Sequence, residues 1–365
     1  MSARRDAIRV LVIDDSAFSR QTITRILESS PLVEVVGVAR DGEEALRRTL
    51  ELEPEVITLD LEMPRMDGFT FLRLLMVKRP TPVIVVSGRM GEGDVWKALD
   101  LGAVDFVAKP GERASLDLEA IEEGLIRKVH AIRDLRIENV RDRILAAPPR
   151  LLEEPAAAPA PTGVVAIGSS TGGPAALMQT LAAFDRPLGC PILIAQHMPA
   201  GFTRGFAERL DRMTPFRVEE ARGGLELGAG RVLIAPGGFD LTVERREGRV
   251  VARLTHSPKD SLYVPSVDRL FDSVSKVYGD RVLAVVLTGM GDDGRQGAGQ
   301  VKAVGGRVIA ESEETAVIYG MPRQVIQAGL ADEVVPLAEI PRAIRVGIRG
   351  FAASERSADD RGRES

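Results

Sequence analysis

Short runs of apolar, mostly β-branched residues recur along the amino-terminal part of the chain, and most end on a polar side chain. Ile8 to Ile13 ends in Asp14-Asp15, Val56 to Leu59 in Asp60, Val83 to Val86 in Ser87, and Val104 to Ala108 in Lys109-Pro110; Val33 to Val38 is a further run of this kind. Between them, apolar positions fall at helical spacing. Phe18, Ile23, Ile26 and Leu27 follow Ser16, a residue suited to cap a helix, and Ala45, Leu46 and Leu50 follow Asp41-Gly42. Strands alternating with helices predict right-handed crossovers and a buried parallel sheet. Such a sheet gathers Asp14, Asp15, Asp60, Ser87 and Lys109 at one edge.

From Leu118 to Ile144 the apolar residues recur at mostly three- and four-residue steps, which predicts one amphipathic helix longer than a single domain needs. His130 is expected on its solvated side. The helix is expected to stop before Pro148-Pro149, and Pro155 to Pro161 is an Ala/Pro-rich tract unable to build a core. The pattern therefore places a first domain over residues 1–128, a linker over 129–162, a second domain over 163–349 and a polar, disordered tail over 350–365.

The second domain repeats the rhythm with different polar ends. Val164 to Ile167 breaks at Gly168, and a helix opening after Gly172-Gly173-Pro174 leaves Ser169, Ser170 and Thr171 on the turn between them. Pro191 to Ala195 leads to Gln196-His197, and Val282 to Leu287 leads to the Thr288 to Gly294 loop, which holds Asp292 and Asp293. Gly306 to Ala310 reads as another strand, Leu241 to Thr255 as an antiparallel hairpin about Glu247-Gly248, and Val325 to Leu330 as core. The predicted class is α/β: two doubly wound, mainly parallel-sheet domains, the second with a hairpin.

Composition narrows the partners. In 365 residues, 44% are hydrophobic and 28% charged, as in globular proteins, and a net charge of −5 offers no footprint for nucleic acid. A lone cysteine, Cys190, excludes an internal disulfide framework and fits a reducing compartment. Arg4 and Arg5 precede too brief an apolar run for a signal peptide, and nowhere do roughly eighteen apolar residues run together. The expected location is cytoplasmic, without membrane insertion.

At the first edge, the carboxylates of Asp14, Asp15 and Asp60 suit a hard divalent cation such as Mg2+, while Lys109 and Ser87 can meet a phosphoryl group. At the second edge stand a hydroxyl, an imidazole and a carboxylate, the set that acyl transfer needs. His130 and His256 lack a strand-end context, which leaves His197 as the base. Two weaker features temper this. The order Ser, His, Asp differs from the familiar hydrolase orders, and there is no G-x-S-x-G elbow. A Gly-Ser-Ser-Thr-Gly-Gly turn also serves as a phosphate cradle, although it lacks the Gly-Lys-Ser/Thr and GxGxxG patterns. Spacing alone does not choose among the hydroxyls, nor between Asp292 and Asp293.

Residues 8 to 128 resemble the response-regulator receiver domains, with a flavodoxin-like fold, on Asp14-Asp15, the DLEMPRMDG stretch around Asp60, Ser87-Gly88 and Lys109-Pro110. The resemblance implies that Asp60 accepts a phosphoryl group from a histidine kinase with Mg2+ held by Asp14, Asp15 and Asp60. Ser87, Phe106 and Lys109 match the family's switch residues. Val164 to Val346 resembles the Rossmann-like catalytic domain of chemotaxis protein-glutamate methylesterases, on IGSSTGGP, AQHMPAGFTRGFAERL, LIAPGG, PSVDRLF, LTGMGDDG and YGMP. That resemblance implies Ser170 as nucleophile, His197 as base and Asp293 as its orienter, with Thr171 and the Met290 backbone N–H shaping the site. Two stretches depart from the family: Phe239-Asp240 stands where a His is usual, and Ser257 to Val264 replaces an Asn-Gly-His-Arg lead-in.

Together these resemblances imply a phosphorylation-activated serine hydrolase. Its substrates would be glutamate γ-methyl esters on chemoreceptors, with methanol released, and receptor glutamines, deamidated at the same serine. A chemotaxis histidine kinase would be the phosphodonor, and ester hydrolysis would need no cofactor. The unphosphorylated receiver is expected to pack over the catalytic edge, and phosphorylation to rearrange that interface. Two rivals predict otherwise. A DNA-binding output needs a basic recognition helix that this acidic chain lacks, and a nucleotide-binding or scaffolding domain would use the Ser170 turn as an anion site with no role for His197.

Overall fold

A computed structural model of the chain describes residues 7–87, 92–109, 115–140, 163–258, 261–349 and 351. The chain divides into two compact units, residues 1–146 and 147–365. In the first, β1 (Ile8–Ile13), β2 (Val33–Ala39), β3 (Val56–Leu59), β4 (Val83–Ser87) and β5 (Asp105–Ala108) form a five-stranded parallel sheet in the order β2-β1-β3-β4-β5. Between them run α1 (Ala17–Glu28), α2 (Gly42–Leu52), α3 (Gly68–Lys78) and α4 (Glu92–Asp100), with α5 (Ser115–Ala131) after β5. Ile13 lies opposite Leu59 in the β1–β3 register, so Asp14 and Asp60 leave adjacent strands side by side.

Helix starts follow the chemistry of their caps. Ser16 accepts from the Ser19 N–H and Asp41 from the Glu44 N–H, each satisfying an amide that has no partner within its helix. Two apolar positions do not go where their spacing predicts. Phe18 is 68% exposed because α1 buries Thr22, Ile23, Ile26 and Leu27 instead. Leu50 is 52% exposed because α2 buries Ala45 and Thr49, and a residue one step beyond Thr49 is turned about 100° from that face.

The predicted long helix is interrupted. α5 ends at Ala131, a 3-10 turn covers Ile132–Asp134, and Leu135 is extended, its N–H donating to the Ile132 carbonyl. Val129 and Ile132 lie in the first unit's core and Leu135 packs against it. Burial of these side chains on the sheet wins over continuation of the helical period. His130 is half-buried rather than solvated: its Nε2 meets Ser30 Oγ at 2.9 Å, and burial, with Arg133 nearby, holds its imidazole below the ordinary histidine range. Helix resumes over residues 137–140, where Val140 is buried. Residues 141–144 of the predicted helix, the Ala/Pro tract, Gly88, Pro110 and the tail beyond Phe351 lie outside the described residues.

The second unit is built on a seven-stranded parallel sheet. Its strands are β6 (Val164–Ser169), β7 (Ile192–Gln196), β8 (Arg217–Glu220), β9 (Arg231–Ile234), β12 (Val282–Val286), β13 (Arg307–Glu311) and β14 (Glu333–Val335), in the order β14-β13-β12-β6-β7-β9-β8. Three strands, β8, β9 and β14, have no counterpart among the predicted ones: Arg-Val-Glu-Glu and Glu-Val-Val at the two edges offer too few apolar residues, and β9 presents only the short run Val232-Leu233-Ile234. Around the sheet lie α6 (Gly173–Ala182), α7 (Thr203–Met213), α8 (Val267–Tyr278), α9 (Arg295–Ala303), α10 (Met321–Gln327) and α11 (Ile340–Arg349). The predicted hairpin is present as β10 (Asp240–Arg246) and β11 (Arg249–Thr255). Its turn residues Glu247 and Gly248 both have positive φ, 51° and 80°, the geometry that matches the twist of a two-residue hairpin.

From β6 the chain passes to β7 on one side, while β12 returns to pair with β6 on the other. This is a topological switch point, and open α/β sheets hold their ligands in the crevice beyond the carboxyl ends of the strands there. The buried side chains Phe271, Leu270, Val274, Leu233 and Val308 belong to one core cluster of this unit.

Candidate active site

The switch point brings together three turns that are far apart in the chain. Ser169 lies opposite Gln196 in the β6–β7 register, so Ser170 and His197 are the next residues out of two neighbouring parallel strands. Strand spacing of about 4.8 Å then sets the separation of their backbones. The His197 N–H donates to the Ser169 carbonyl at 3.0 Å, and the Ser170 N–H to the Thr288 carbonyl at 3.0 Å. The buried Gln196 carboxamide locks the corner: its Nε2 donates to the Ser170 and His197 carbonyls, both at 2.9 Å, and its Oε1 accepts from Ser169 Oγ at 2.7 Å. Ser169 Oγ is thus engaged in holding the turn.

His197 Nε2 lies 2.8 Å from Asp293 Oδ2. Asp292, its neighbour, is exposed. Asp293 is buried at the amino end of α8, where Oδ2 accepts from the Val267 N–H at 2.7 Å and Oδ1 from the Asp268 N–H at 2.8 Å and Ser266 Oγ at 3.1 Å. Burial by itself would raise this carboxyl, but the His197 contact and the two backbone N–H groups outweigh it and hold Asp293 below the ordinary carboxylate range. A helix amino terminus adds its partial positive charge. Asp268 returns the arrangement, accepting from the Gly294 and Gly297 N–H groups at 2.9 and 2.6 Å, and burial pushes its own carboxyl up to about 6.

An ionised carboxylate only accepts, so the proton of a neutral His197 sits on Nε2. Its Nδ1 then carries the lone pair, and that atom is buried with no hydrogen-bond partner among the described residues. The two ring nitrogens exchange the positions they hold in chymotrypsin-like triads; the chemistry is the same.

The third turn closes on Ser170 from the β12 side. Thr288 donates its N–H to Glu311 Oε2 at 2.7 Å and its Oγ1 to the Thr171 carbonyl at 3.0 Å, and Thr171 is buried. A Cβ on Gly289 would fall 2.8 Å from Ser170 Cβ and 2.4 Å from Met321 Sδ, so the backbone leading to Met290 lies directly against the serine. Gly289→Ala is expected to cost about 1–3 kcal/mol by overpacking. It should also remove most turnover; thermal unfolding and ester hydrolysis measured on one preparation check both parts.

Four residues that the sequence pattern did not single out hold the site: Gln196, Glu311, Ser266 and Tyr263. Glu311 closes β13 and was open to the same strand-end logic, and Ser266 is a recognisable helix cap. Tyr263 carries no spacing signal. Of the two departing stretches, Phe239 packs its ring 4.6 Å from that of His256, while Asp240 accepts from the Ser266 N–H at 2.8 Å and pairs with Arg269 at 3.0 Å. Lys259 and Asp260 lie outside the described residues.

In the first unit, oxygens of Asp14, Asp15 and Asp60 lie within 4.8 Å of one another. Lys109 Nζ is 2.8 Å from Asp14 Oδ2 and 2.6 Å from Asp60 Oδ2. Burial pushes the Asp14 carboxyl up despite Lys109, whereas the two carboxylates outweigh burial and raise the lysine. Asp14 Oδ2 is buried and, among the described residues, makes no hydrogen bond beyond that ion pair. Oxygen donors at this spacing, one of them short of a donor, fit a hard divalent cation. Phe106 is buried edge-on to Trp96 at 6.1 Å. Ser87 ends β4 beside Ala108, and its side chain lies outside the described residues. No helix of the described residues is long and apolar enough to cross a membrane.

Comparison with known proteins places both units. A family model described as CheB methylesterase matches residues 165–344, and one described as response regulator receiver domain matches residues 10–121. A protein-glutamate methylesterase/protein-glutamine glutaminase of Geobacter sulfurreducens is 48% identical over 357 residues, covering 92% of this chain and 96% of that protein. Proteins of the same description from Anaeromyxobacter dehalogenans and Myxococcus xanthus are each 48% identical, over 338 and 341 residues, covering 92% and 93% of this chain and 94% and 97% of theirs.

Proposed function

Because this chain belongs to the protein-glutamate methylesterase/protein-glutamine glutaminase family, with a receiver domain ahead of the catalytic one, we propose that Ser170, His197 and Asp293 carry the hydrolysis. The substrates are γ-methyl-esterified glutamates and glutamines of chemoreceptors. The observation that supports this most directly is the His197–Asp293 hydrogen bond, which leaves an unpartnered Nδ1 on the residue next to Ser170 across the sheet.

Ser170 Oγ attacks the γ-carbonyl carbon as its proton passes to His197 Nδ1. Asp293 keeps the proton on Nε2 and stabilises the imidazolium. Backbone N–H groups at Thr171 and Met290 face the developing oxyanion, a role that the close approach of Gly289 to Ser170 supports. His197 then gives its proton to the departing methoxide, released as methanol, or to the amide nitrogen, released as ammonia. Water, deprotonated by Nδ1, attacks the acyl-enzyme, and glutamate leaves with Ser170 restored.

In the receiver, Asp60 accepts the phosphoryl group from a chemotaxis histidine kinase, with Lys109 paired to it and Ser87 and Phe106 as the switch pair. Asp14, Asp15 and Asp60 are the residues that would hold Mg2+, which when bound supplies positive charge opposite the phosphoryl oxygens. The cytoplasm, where Cys190 stays reduced, is the compartment for both reactions. The test is methanol release from methylated receptor membranes with and without a small-molecule phosphodonor and Mg2+. The phosphodonor should stimulate the wild type, and Asp60→Asn should bring the ratio of stimulated to unstimulated rate to one. Stimulation that persists in Asp60→Asn removes Asp60 from the pathway; no release under any condition removes the hydrolase reading.

A further inference from the structure

The His197 imidazole is held at its edge and at its face by different parts of the chain. Asp293 fixes one point, Nε2. One hydrogen bond leaves the ring free to swing about that contact, because the torsion joining an imidazole to its Cβ has a broad minimum. The face is covered by Tyr263, whose ring lies parallel to the imidazole, with centroids 4.7 Å apart and planes 11° from each other.

Tyr263 is itself tied to both turns that build the site. It stands three residues before Ser266, which caps α8 and donates to Asp293 Oδ1. Its hydroxyl reaches the opposite turn: a Cβ on Gly291 would lie 2.0 Å from Tyr263 Oη, and Gly291 has φ of +82°, so both space and backbone conformation call for glycine there. The side chain thus runs from the base to the loop that carries Asp293, and displacing it loosens the ring and the loop together. It lies in one of the two stretches that depart from the family pattern.

We propose that Tyr263 is a positioning residue of the hydrolytic reaction: its ring, stacked on His197, fixes the imidazole plane so that Nδ1 stays on the Ser170 side. The proposal rests on the triad reading above. It assigns the effect to the ring face, which lies against His197, and not to the hydroxyl, which lies against Gly291.

Full-length Tyr263→Leu and Tyr263→Phe are compared with wild type and with Ser170→Ala, after thermal unfolding has shown each variant folded. Two rates are read: steady-state ester hydrolysis, and covalent labelling of Ser170 by a fluorophosphonate, which needs the activated serine but no receptor. Tyr263→Leu is expected to lower kcat roughly 10- to 100-fold, the scale of a misplaced catalytic group, with KM within about threefold of wild type. Labelling should slow in parallel, and Tyr263→Phe should restore both rates to within about threefold. If the leucine variant does not fold, Tyr263→Gln, polar and without a ring, takes its place. Wild-type kcat and labelling in the ringless variant, a loss confined to KM, or an equal loss in Tyr263→Phe would each overturn the inference while leaving the triad intact. A wild-type chain that neither hydrolyses ester nor labels at Ser170 overturns both.

Discussion

Ser170→Ala is expected to lower methanol release by roughly 10^4- to 10^6-fold, the range seen when the nucleophile of a triad is removed and only binding and oxyanion stabilisation remain. Its effect on folding should be slight. The structural bonds of Ser170 run through its backbone, the N–H to Thr288 and the carbonyl from Gln196, and alanine keeps them. Unfolding free energy should therefore stay within about 0.5 kcal/mol of wild type. Ser169→Ala is the informative contrast. It deletes the donor to Gln196 Oε1 and leaves that buried acceptor unmatched, costing about 1–3 kcal/mol, while the nucleophile survives. A reversal, with turnover lost in Ser169→Ala and kept in Ser170→Ala, would assign the chemistry to the wrong hydroxyl.

Asp293→Asn should be nearly as severe, about 10^4-fold in kcat, for a reason of proton placement. An asparagine amide can donate to Nε2, which moves the imidazole proton to Nδ1 and points a donor, not a lone pair, at Ser170. The change also reaches the fold. Asp293 accepts from Val267, Asp268, Ser266 and His197, and one amide oxygen cannot serve them all. A loss of about 1–3 kcal/mol is expected from the donors left unmatched at the α8 amino terminus. The pH dependence gives a further check. The folded carboxyl titrates below its unfolded value, so the unfolded chain binds the proton first as pH falls. The stability Asp293 contributes is present above the ordinary carboxylate pKa, about 4, and is lost as pH drops through the lower folded value. Thermal unfolding of wild type and Asp293→Asn should thus converge towards acid pH. A gap that stays constant from neutral to acid pH would mean that Asp293 carries no such linkage.

The pattern of apolar runs ending on polar residues was enough to foresee the first sheet, the four central strands β6, β7, β12 and β13 of the second, the hairpin and the collection of Asp14, Asp60 and Lys109 at one edge. These are local matters. A β-branched run buries as a parallel strand wherever it pairs, and the residue that ends it comes out at the carboxyl edge regardless of its neighbours. The same locality explains the misses. Phe18 and Leu50 are apolar at nearly helical spacing yet face solvent, because the buried arc of each helix is set by the sheet beneath it. The helix after Leu118 breaks at Ile132 because three side chains gain more on the first unit's core than the helical period offers.

The site itself divides along the same line. Residue types and strand-end positions put a hydroxyl, an imidazole and carboxylates within reach of one another, and family motifs favoured Ser170, His197 and Asp293. Which carboxylate meets the imidazole was settled by α8, whose amino-terminal N–H groups draw Asp293 inward while Asp292 stays in solvent. Which imidazole nitrogen is left with a lone pair follows from that contact, and which ring face is covered follows from Tyr263, on a turn with no local pattern to announce it. Strand and helix formation are written in short stretches because their bonds and burial repeat every few residues. The partners of Asp293 and the stack on His197 join segments up to 96 residues apart, and only the pairing of β6 with β7 and β12 brings them together.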